Sequence, residues 1–544
     1  MFYRSIMTTL SVSAVALAVS TGSLAAQQPR HEFKQGIENL KISDGKLFHF
    51  SVHLKTKDAA SVELVRAYFS NFGFKTKYIE AANAIHLTGT LAQAQSAGHF
   101  SYKLQNVGEN RSIARHDSKP TFTAAIDALV SSDTFGGIGI KAHSMIAYPR
   151  GDVTLLNETT TGYTPADIAA LYDLGPIAKH SIDGTGQTVY ILNCGFVKPA
   201  DIEFFDTTYS LPGTTDTNFL TQVPVDGGPY YTVNSTTYTY YLDEAFLDVE
   251  RVHATAPGAA VRNYSIPPTC YLNEFNDMLD QVIADVGTAA APGAALTVSY
   301  GLGEGIYDYY GYGVGGAKDL LTPSAQEYAA VLATGTPIFA SSGDDGSIFY
   351  EPGPAPGQAN FVTDVEYPAS DPSVISVGGT TLLVTPKGAR AHEWSWSGDA
   401  GRGNAGGSGG GVSASFPEPG YQTTVSGTSG KGKNIPDVSL DADPFTGYAF
   451  YDSLLATTVI SIGGTSASSP TWAGFMALVE QARVKAGKKP LTKVAAKLYH
   501  HAADFTDITV GANGFYRAEV GYDHVTGLGV PDFFKLYQDL KEAP

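Results

Sequence analysis

The sequence predicts an α/β protein, a body built on a parallel sheet flanked by helices and preceded by a smaller α+β domain. Three observations carry this. From residue 163 onward, short β-branched apolar runs alternate with segments of helical spacing, the pattern of a parallel sheet buried on both faces. Residues 46–110 instead read strand, helix, strand, strand, helix, strand, an order that makes an antiparallel sheet with both helices on one face. The charge also changes sign between the two parts. Residues 27–150 hold 15 Lys+Arg against 10 Asp+Glu, whereas residues 151–544 hold 19 against 43.

Taken in order, residues 1–26 have the make-up of an export signal, with Arg4 at the basic start, an apolar stretch over 8–19, and Ser23, Ala25 and Ala26 as small residues for cleavage. The apolar stretch is too short and too polar for a membrane anchor, so a secreted, extracellular protein is expected. In the front domain, residues 47–54 read as a strand. Residues 59–72 read as a helix, with Val62, Leu64, Val65, Tyr68 and Phe69 at helical spacing and Gly73 as its stop. Residues 74–79 and 84–87 read as two strands, 89–100 as a second helix and 101–107 as a last strand. Turn formers and small polar residues fill 108–160, the mark of an exposed linker open to proteolysis. An export signal, a compact basic domain and a cleavable linker together predict a propeptide. The expected division is a signal at 1–26, a propeptide activation domain at 27–140, a cleavable linker at 141–162 and the main domain at 163–544. The basic front piece and the acidic body form an electrostatically matched pair. Acid is expected to loosen that pair by protonating body carboxylates, and high salt at neutral pH to do the same.

In the main domain, residues 184–193 read as a turn and strand, and 260–264, 295–300, 337–341 and 374–377 as further strands. Residues 165–172, 274–286 and 325–334 read as helices, and the Thr- and Tyr-rich 206–243 as surface loops with short strands. Cys194 and Cys270 are the two cysteines. In an exported protein they are either a disulfide or two buried small apolar residues, and they do not make a metal site. The acidic body argues against nucleic acid as a partner.

The chemistry gathers around Ser466. Residues 457–461 read as a buried strand and 472–484 as an apolar helix, so Gly463-Gly-Thr-Ser466 sits where strand turns into helix. The glycines allow a tight turn and close approach of a substrate. The helix start offers N–H groups and a positive dipole end to a developing oxyanion, and Pro470 suits a first helical turn. By itself the motif reads equally as a nucleophile or as an N-cap serine. Active sites of parallel α/β folds lie at the carboxyl ends of strands, and the turn Gly343-Asp-Asp-Gly346 also follows a strand. A histidine base has no motif here: the 13 histidines are scattered, and the first core strand ends in Asn193-Cys194. Glu244 and Asp248 instead lie one turn apart on a helix whose Ala245, Phe246, Leu247, Val249 and Val252 are apolar. The bland reading is an acidic solvated face. On a mostly buried helix, however, such a pair splits its pKa values and one member serves as a base. In acid an imidazole is protonated, while a carboxylate still accepts the serine proton. His253 reads as a packed or surface histidine.

With these residues the chain resembles the sedolisin family of serine-carboxyl peptidases, of the kumamolisin type, over nearly everything after the signal. The resemblance rests on the Glu-x-x-x-Asp helix followed by Ala256-Pro-Gly258, the Ser342-Gly-Asp344 turn, and Gly463-Gly-Thr-Ser466 with Ser469-Pro470. A carboxyl-terminal Asp507-Ile-Thr509 run with Gly521-Tyr-Asp523 and Thr526-Gly-Leu-Gly529 completes it. It implies a subtilisin-like parallel sheet flanked by helices, preceded by a ferredoxin-like α+β prodomain. It implies a secreted, acid-active endopeptidase made as a self-processing zymogen. Ser466 would be the nucleophile, Glu244 its general base and later acid, and Asp248 the group that orients Glu244 and shares its proton. Asp344, protonated, would donate a hydrogen bond to the oxyanion. One structural Ca²⁺ would be held by the carboxylates of Asp507 and Asp523 and the backbone carbonyls of Ile508 and Gly521. Two positions depart from the family pattern: Asp345 where serine is usual, and Glu519 where glycine is. The implied partners are protein or peptide substrates and the chain's own propeptide as an intramolecular inhibitor, with no nucleic acid, no membrane anchor and a monomeric state. The alternatives are a tripeptidyl exopeptidase of the same family and a non-catalytic secreted binding protein displaying the 206–243 loops.

Overall fold

The computed structural model describes residues 37–39, 48–130, 141–142, 145–146 and 161–544, except 81, 100–101, 109–110, 117–119, 212–218, 227, 234–235, 269, 287–292, 306–316, 353–358 and 398–405. The expected signal at 1–26 and most of the expected linker lie outside the described residues.

The front domain contains β1 (Phe48–His53), α1 (Ala59–Asn71), β2 (Lys75–Ile79), β3 (Ala84–Gly89) and α2 (Leu91–Gly98). Both helices begin on side-chain caps. Asp58 accepts the Ser61 N–H at 2.9 Å, and Thr90 with Gln93 forms a reciprocal capping box. The strands pair antiparallel in the order β1-β3-β2. Phe50, Val52, Val65, Phe69, Phe74, Ile85 and Leu87 fill the core. The strand expected at 101–107 forms as β4 (Tyr102–Gly108), but it does not close this sheet. It pairs with Ile37–Asn39 and Arg111–His116 instead. Among the described residues the expected four-stranded ferredoxin-like sheet is therefore three-stranded. The hairpin to 111–116 satisfies the backbone of β4 locally, at a small loop-closure cost. The domain rests on the body through Ile79, Ala82 and Ala84 against Ala330 and Ile283, and through a buried contact of His53 Nε2 with the Glu327 carboxylate.

Two short strands follow, β5 (Lys141–Ala142) and β6 (Met145–Ile146). The body then supplies β7 (Thr188–Asn193), β8 (Leu220–Pro224), α3 (Asp243–Thr255), β9 (Ala260–Ser265), α4 (Leu272–Val286), β10 (Ala295–Val298) and β11 (Tyr300–Gly303). After these come α5 (Ala317–Ala333), β12 (Ile338–Ser341), β13 (Ile375–Val384), β14 (Arg390–Ser395), β15 (Val438–Asp441), β16 (Ile460–Gly463) and α6 (Thr465–Lys485). The main sheet runs β8-β9-β7-β10-β12-β13-β14, with β15 also on β13, and every pairing but β13–β14 is parallel. The period-2 alternation of the strands sorts their side chains onto two cores. Val189, Ile191, Ala295 and Phe339 face α3 and α6, whereas Tyr190, Leu192, Leu296, Val298, Ile338 and Ala340 face α4 and α5. Helix α6 is buried from Thr465 to Arg483, as an all-round apolar helix must be.

Three readings are sharpened here. The 206–243 stretch is less irregular than its composition suggests: β8 is an edge strand of the main sheet, and Tyr230–Val233 pairs with Thr236–Thr239 as a hairpin. Thr and Tyr serve there as strand formers. Helix α5 begins at Ala317 and carries Pro323 inside it, so proline hid its first turns from a reading that began at 325. Cys194 and Cys270 are joined in a disulfide, which ties the end of β7 to the approach to α4.

Candidate active site

The parallel sheet brings several carboxyl-terminal strand ends to one place. Asn193 closes β7, Ser299 follows β10, and Gly343-Asp344 follows β12. Against these ends lie the starts of two buried helices. Glu244 sits in the first turn of α3 and Asp248 one turn later, both fully buried. The strand before Ser466 is Ile460–Gly463 rather than 457–461, and Thr457 and Thr458 are exposed. Gly464 turns the chain into α6 at φ +96°, a backbone region that disfavours other residues. Ser466 then lies in the first helical turn, fully buried. Pro470 is in the second turn of α6, not the first. Its missing N–H leaves the Ser466 carbonyl without an intrahelical donor, and Ser299 Oγ lies 3.5 Å from that carbonyl.

Ser299 connects the nucleophile candidate to the carboxylates. Its carbonyl accepts Ser466 Oγ at 3.3 Å, and its hydroxyl donates to Asp248 Oδ1 at 2.7 Å. Asn193 Nδ2 donates to Asp248 Oδ2 at 2.9 Å, and the Tyr300 hydroxyl donates to Asn193 Oδ1 at 2.6 Å. Glu244 also hydrogen-bonds Asp248. Burial pushes the Asp248 carboxyl up to about 8, against the opposing hydrogen bonds of Ser299, Asn193 and Glu244. A carboxyl that stays protonated near neutrality beside a second carboxyl forms a pair able to share one proton and to pass it on. Asp344, also buried, accepts both the N–H and the hydroxyl of Thr465 on Oδ1, each at 2.8 Å. The turn that carries it is clasped by a glycine-rich run, Gly406-Gly-Ser-Gly-Gly-Gly411. Gly407 N–H donates to the Asp344 carbonyl at 2.7 Å and Gly409 N–H to the Gly343 carbonyl at 2.8 Å. A Cβ at Gly409 would stand 2.0 Å from the Ser342 carbonyl oxygen. That run is thus a fitted wall of the site and not a flexible connector.

The structure therefore brings Glu244, Asp248, Asp344 and Ser466 together. Sequence reasoning missed Asn193 and Ser299. Their signal was position: each is a polar residue at or just past the carboxyl end of an apolar strand. His253 is packed, stacked on Phe219 with ring centroids 3.9 Å apart and 3.3 Å from Asp206. It takes no part in the site.

The expected cation ligands fall on one loop. Asp507 Oδ2 accepts the Gly521 N–H at 2.8 Å, and Asp523 Oδ2 accepts the Glu519 N–H at 2.9 Å. Gly521 has φ +87° and nothing within 4 Å of where a Cβ would stand. Burial first of all pushes the Asp523 carboxyl up to about 6. Asp507 and Asp523 offer carboxylate oxygens, and Ile508 and Gly521 backbone carbonyls, of the hard oxygen type that Ca²⁺ takes.

Burial has a global consequence for stability. A carboxyl in an unfolded chain titrates near pH 4, but those of Asp248, Glu250, Asp280 and Asp441 are held well above that, chiefly by burial. Between about pH 4 and 8 the folded chain keeps protons that the unfolded chain has released, so stability is greatest in acid and falls as pH rises. Asp248 alone, raised from 3.8 to about 8, makes this loss on the order of several kcal/mol at ~1.4 kcal/mol per unit. The melting temperature of a Ser466→Ala precursor, measured without added calcium, is expected to drop steadily across that range. A melting temperature that climbs instead contradicts the assignment of these carboxyls as buried and protonated.

The chain and its sheet have counterparts in known proteins. The subtilase family profile matches residues 260–527. Kumamolisin of Bacillus sp. (strain MN-32) is 29% identical over 401 residues, 70% of this chain and 64% of its own. The solved structure of Pseudomonas sedolisin (serine-carboxyl proteinase), complexed with two molecules of pseudo-iodotyrostatin, superposes with a TM-score of 0.56 at 25% identity. The match covers 70% of this chain and 98% of that one. The chain is similar in sequence and fold to the sedolisin family of peptidases. It has the family's subtilisin-like fold, a central parallel sheet with helices on both faces. Tripeptidyl-peptidase sed4 of Aspergillus fumigatus is 33% identical over 211 residues, 31% of this chain and 32% of its own. The chain spans 64% of the length of kumamolisin. Among the described residues no helix is long and apolar enough to cross a membrane.

Proposed function

We propose that this protein is a secreted, acid-active serine-carboxyl endopeptidase, made as a zymogen that processes itself. The observation that carries this reading is the buried hydrogen-bonded path from Ser466 through Ser299 to Asp248 and Glu244. Ser466 attacks the carbonyl carbon of a peptide bond. Glu244 takes the serine proton and returns it to the departing amine, while Asp248 orients Glu244 and shares its proton. Asp344, protonated, donates to the oxyanion from the oxygen that does not accept from Thr465. The acyl-enzyme is then hydrolysed by water. The substrates are proteins or peptides; the propeptide, over 27–140 with its linker at 141–162, acts as intramolecular inhibitor; and the protein works as a monomer. A non-catalytic binding protein has no use for four buried groups converging in this way.

Endopeptidase is preferred to tripeptidyl exopeptidase because β5 and β6 pair with strands on either side of Ser466 and belong to a chain that continues in both directions. A cleft that admits a through-running chain suits internal cleavage. The likeness to tripeptidyl-peptidase sed4 favours the second reading. Acid digestion of an unfolded protein decides between them. Mixed internal fragments are expected, and release of amino-terminal tripeptides alone would assign the exopeptidase.

Asp507 and Asp523, with the carbonyls of Ile508 and Gly521, would hold a structural Ca²⁺, whose charge would compensate the buried Asp523 carboxylate. A chelator at neutral pH is expected to lower stability by about 2–4 kcal/mol, read as a fall in melting temperature that Ca²⁺ reverses and Mg²⁺ does not. An unchanged melting temperature in chelator contradicts the site.

A further inference from the structure

The turn that carries Asp344 needs support from outside itself. Gly343 and Gly346 stand at φ +109° and +71°, so both ends of the turn have the rotational freedom of glycine. A donor serves an oxyanion only when it is held within about 0.5 Å of its place. Two supports lie close by. Thr465 accepts the Gly343 N–H at 3.2 Å, and the glycine-rich run accepts the Gly346 N–H on the Gly407 carbonyl at 3.0 Å. A third comes from a loop 166 residues further along the chain. The Asn513 carbonyl accepts the Ser347 N–H at 2.9 Å and the Ser347 hydroxyl at 3.1 Å, and Ser347 Oγ accepts the Phe515 N–H at 2.9 Å. Ser347 directly follows the turn and is fully buried. Asn513 is buried too, and its side chain ties it down. Its Nδ2 donates to the His524 carbonyl at 3.0 Å, and its Oδ1 accepts the Tyr516 N–H at 3.2 Å. The fit leaves no room for a methyl group. A Cβ at Gly346 would stand 2.4 Å from the Asn513 carbonyl oxygen, and one at Gly410 2.1 Å from the His524 carbonyl oxygen and 2.9 Å from Asn513 Nδ2. Asn513 thus meets both the turn and the run that clasps it. Glycine at both contacts is costly to order. A loop packed for stability alone avoids that cost by keeping the two backbones a side chain apart.

We propose that Asn513 is a positioning residue for the oxyanion donor. The proposal rests on the reading of Asp344 as that donor and adds what holds it in place. Asn513 touches no reacting atom. It fixes Ser347, and Ser347 fixes the carboxyl-terminal end of the four-residue turn on which Asp344 stands. An oxyanion forms only as the bond is broken, so a loosely held donor weakens the transition state and leaves substrate binding alone. Asn513→Ala keeps the carbonyl but loses the two side-chain hydrogen bonds that aim it. Ser347→Ala loses the hydroxyl that bridges the Asn513 carbonyl and the Phe515 N–H. The two variants loosen one contact from opposite sides, so the test stands on either of them if the other fails to fold.

The test measures kcat and KM on one peptide substrate in acid, at a fixed concentration of Ca²⁺, with melting temperatures to show that each variant is folded during the assay. Asn513→Ala and Ser347→Ala are each expected to lower kcat by about tenfold, since small misplacements of catalytic groups have effects of this order or larger, and to leave KM within about twofold. The same two substitutions are then made in Asp344→Ala. There they are expected to cost nothing further, because the group they position is gone. A tenfold loss that persists in the Asp344→Ala background overturns the proposal, since the loop then acts through another group or through the fold at large. A raised KM with kcat unchanged, or wild-type kcat in the folded variants, overturns it as well. Each of these outcomes leaves Asp344 as the oxyanion donor. Wild-type kcat in Asp344→Ala itself removes that donor reading and this proposal with it.

Discussion

Ser466→Ala and Glu244→Gln are each expected to lower kcat on an unfolded protein by about 10⁴-fold or more, with KM little changed. Ser466 is fully buried at the start of α6, its hydroxyl held 3.3 Å from the Ser299 carbonyl. Removing Oγ removes the bond-forming atom and little packing. Glutamine keeps the volume of Glu244 and its capacity to hydrogen-bond Asp248, but it cannot accept a proton, so the two variants interrupt one step at its two ends. The double variant is therefore expected to be no worse than either single one, because residues that act as a unit do not contribute additively. Melting temperatures close to wild type separate lost chemistry from lost fold. If Glu244→Gln retains wild-type kcat in acid while Ser466→Ala does not, the base is another group and the carboxylate assignment falls.

How much of this was legible in the sequence follows from the range of each interaction. The strands β7, β10 and β12 and the helix α3 were readable because apolar period and strand length are local properties. So was the pairing of Glu244 with Asp248, which needs only a helix and burial. Asn193 and Ser299 were not readable, because their roles depend on which strand ends become neighbours in the β7-β10-β12 order. No local pattern contains that order. The same reason hid the pairing of β5 and β6 with strands close to Ser466. The charge contrast between front and body was legible, whereas the residues that join them were not. The described contacts of the front domain include an apolar one around Ala330, a buried pair of His53 and Glu327, and the strand Arg111–His116 beside Tyr230–Val233. Buried contacts of that kind are poorly screened by salt.

Asp344 carries the second large expectation, and its most informative form is a shift in pH dependence. Asp344→Ala is expected to cost about 10²–10³-fold in kcat, the usual effect of losing one oxyanion donor. Asp344→Asn is expected to cost much less and to move the alkaline limit of activity upward. The geometry gives the reason. Oδ1 accepts two hydrogen bonds from Thr465 at 2.8 Å, so a proton that serves the oxyanion belongs on Oδ2. Aspartate has that proton only while its carboxyl is neutral. Asparagine can accept the Thr465 bonds through its oxygen and present a permanent N–H in place of Oδ2, at any pH. Comparing kcat for wild type and Asp344→Asn across pH 3 to 8 separates two sources of acid dependence. If the asparagine variant stays active where wild type has failed, protonation of Asp344 sets the limit. If both profiles fall together, the limit belongs to the Glu244–Asp248 pair and its shared proton. In that case Asp248→Asn, which fixes one hydrogen-bond pattern on Glu244, is the variant whose profile must change.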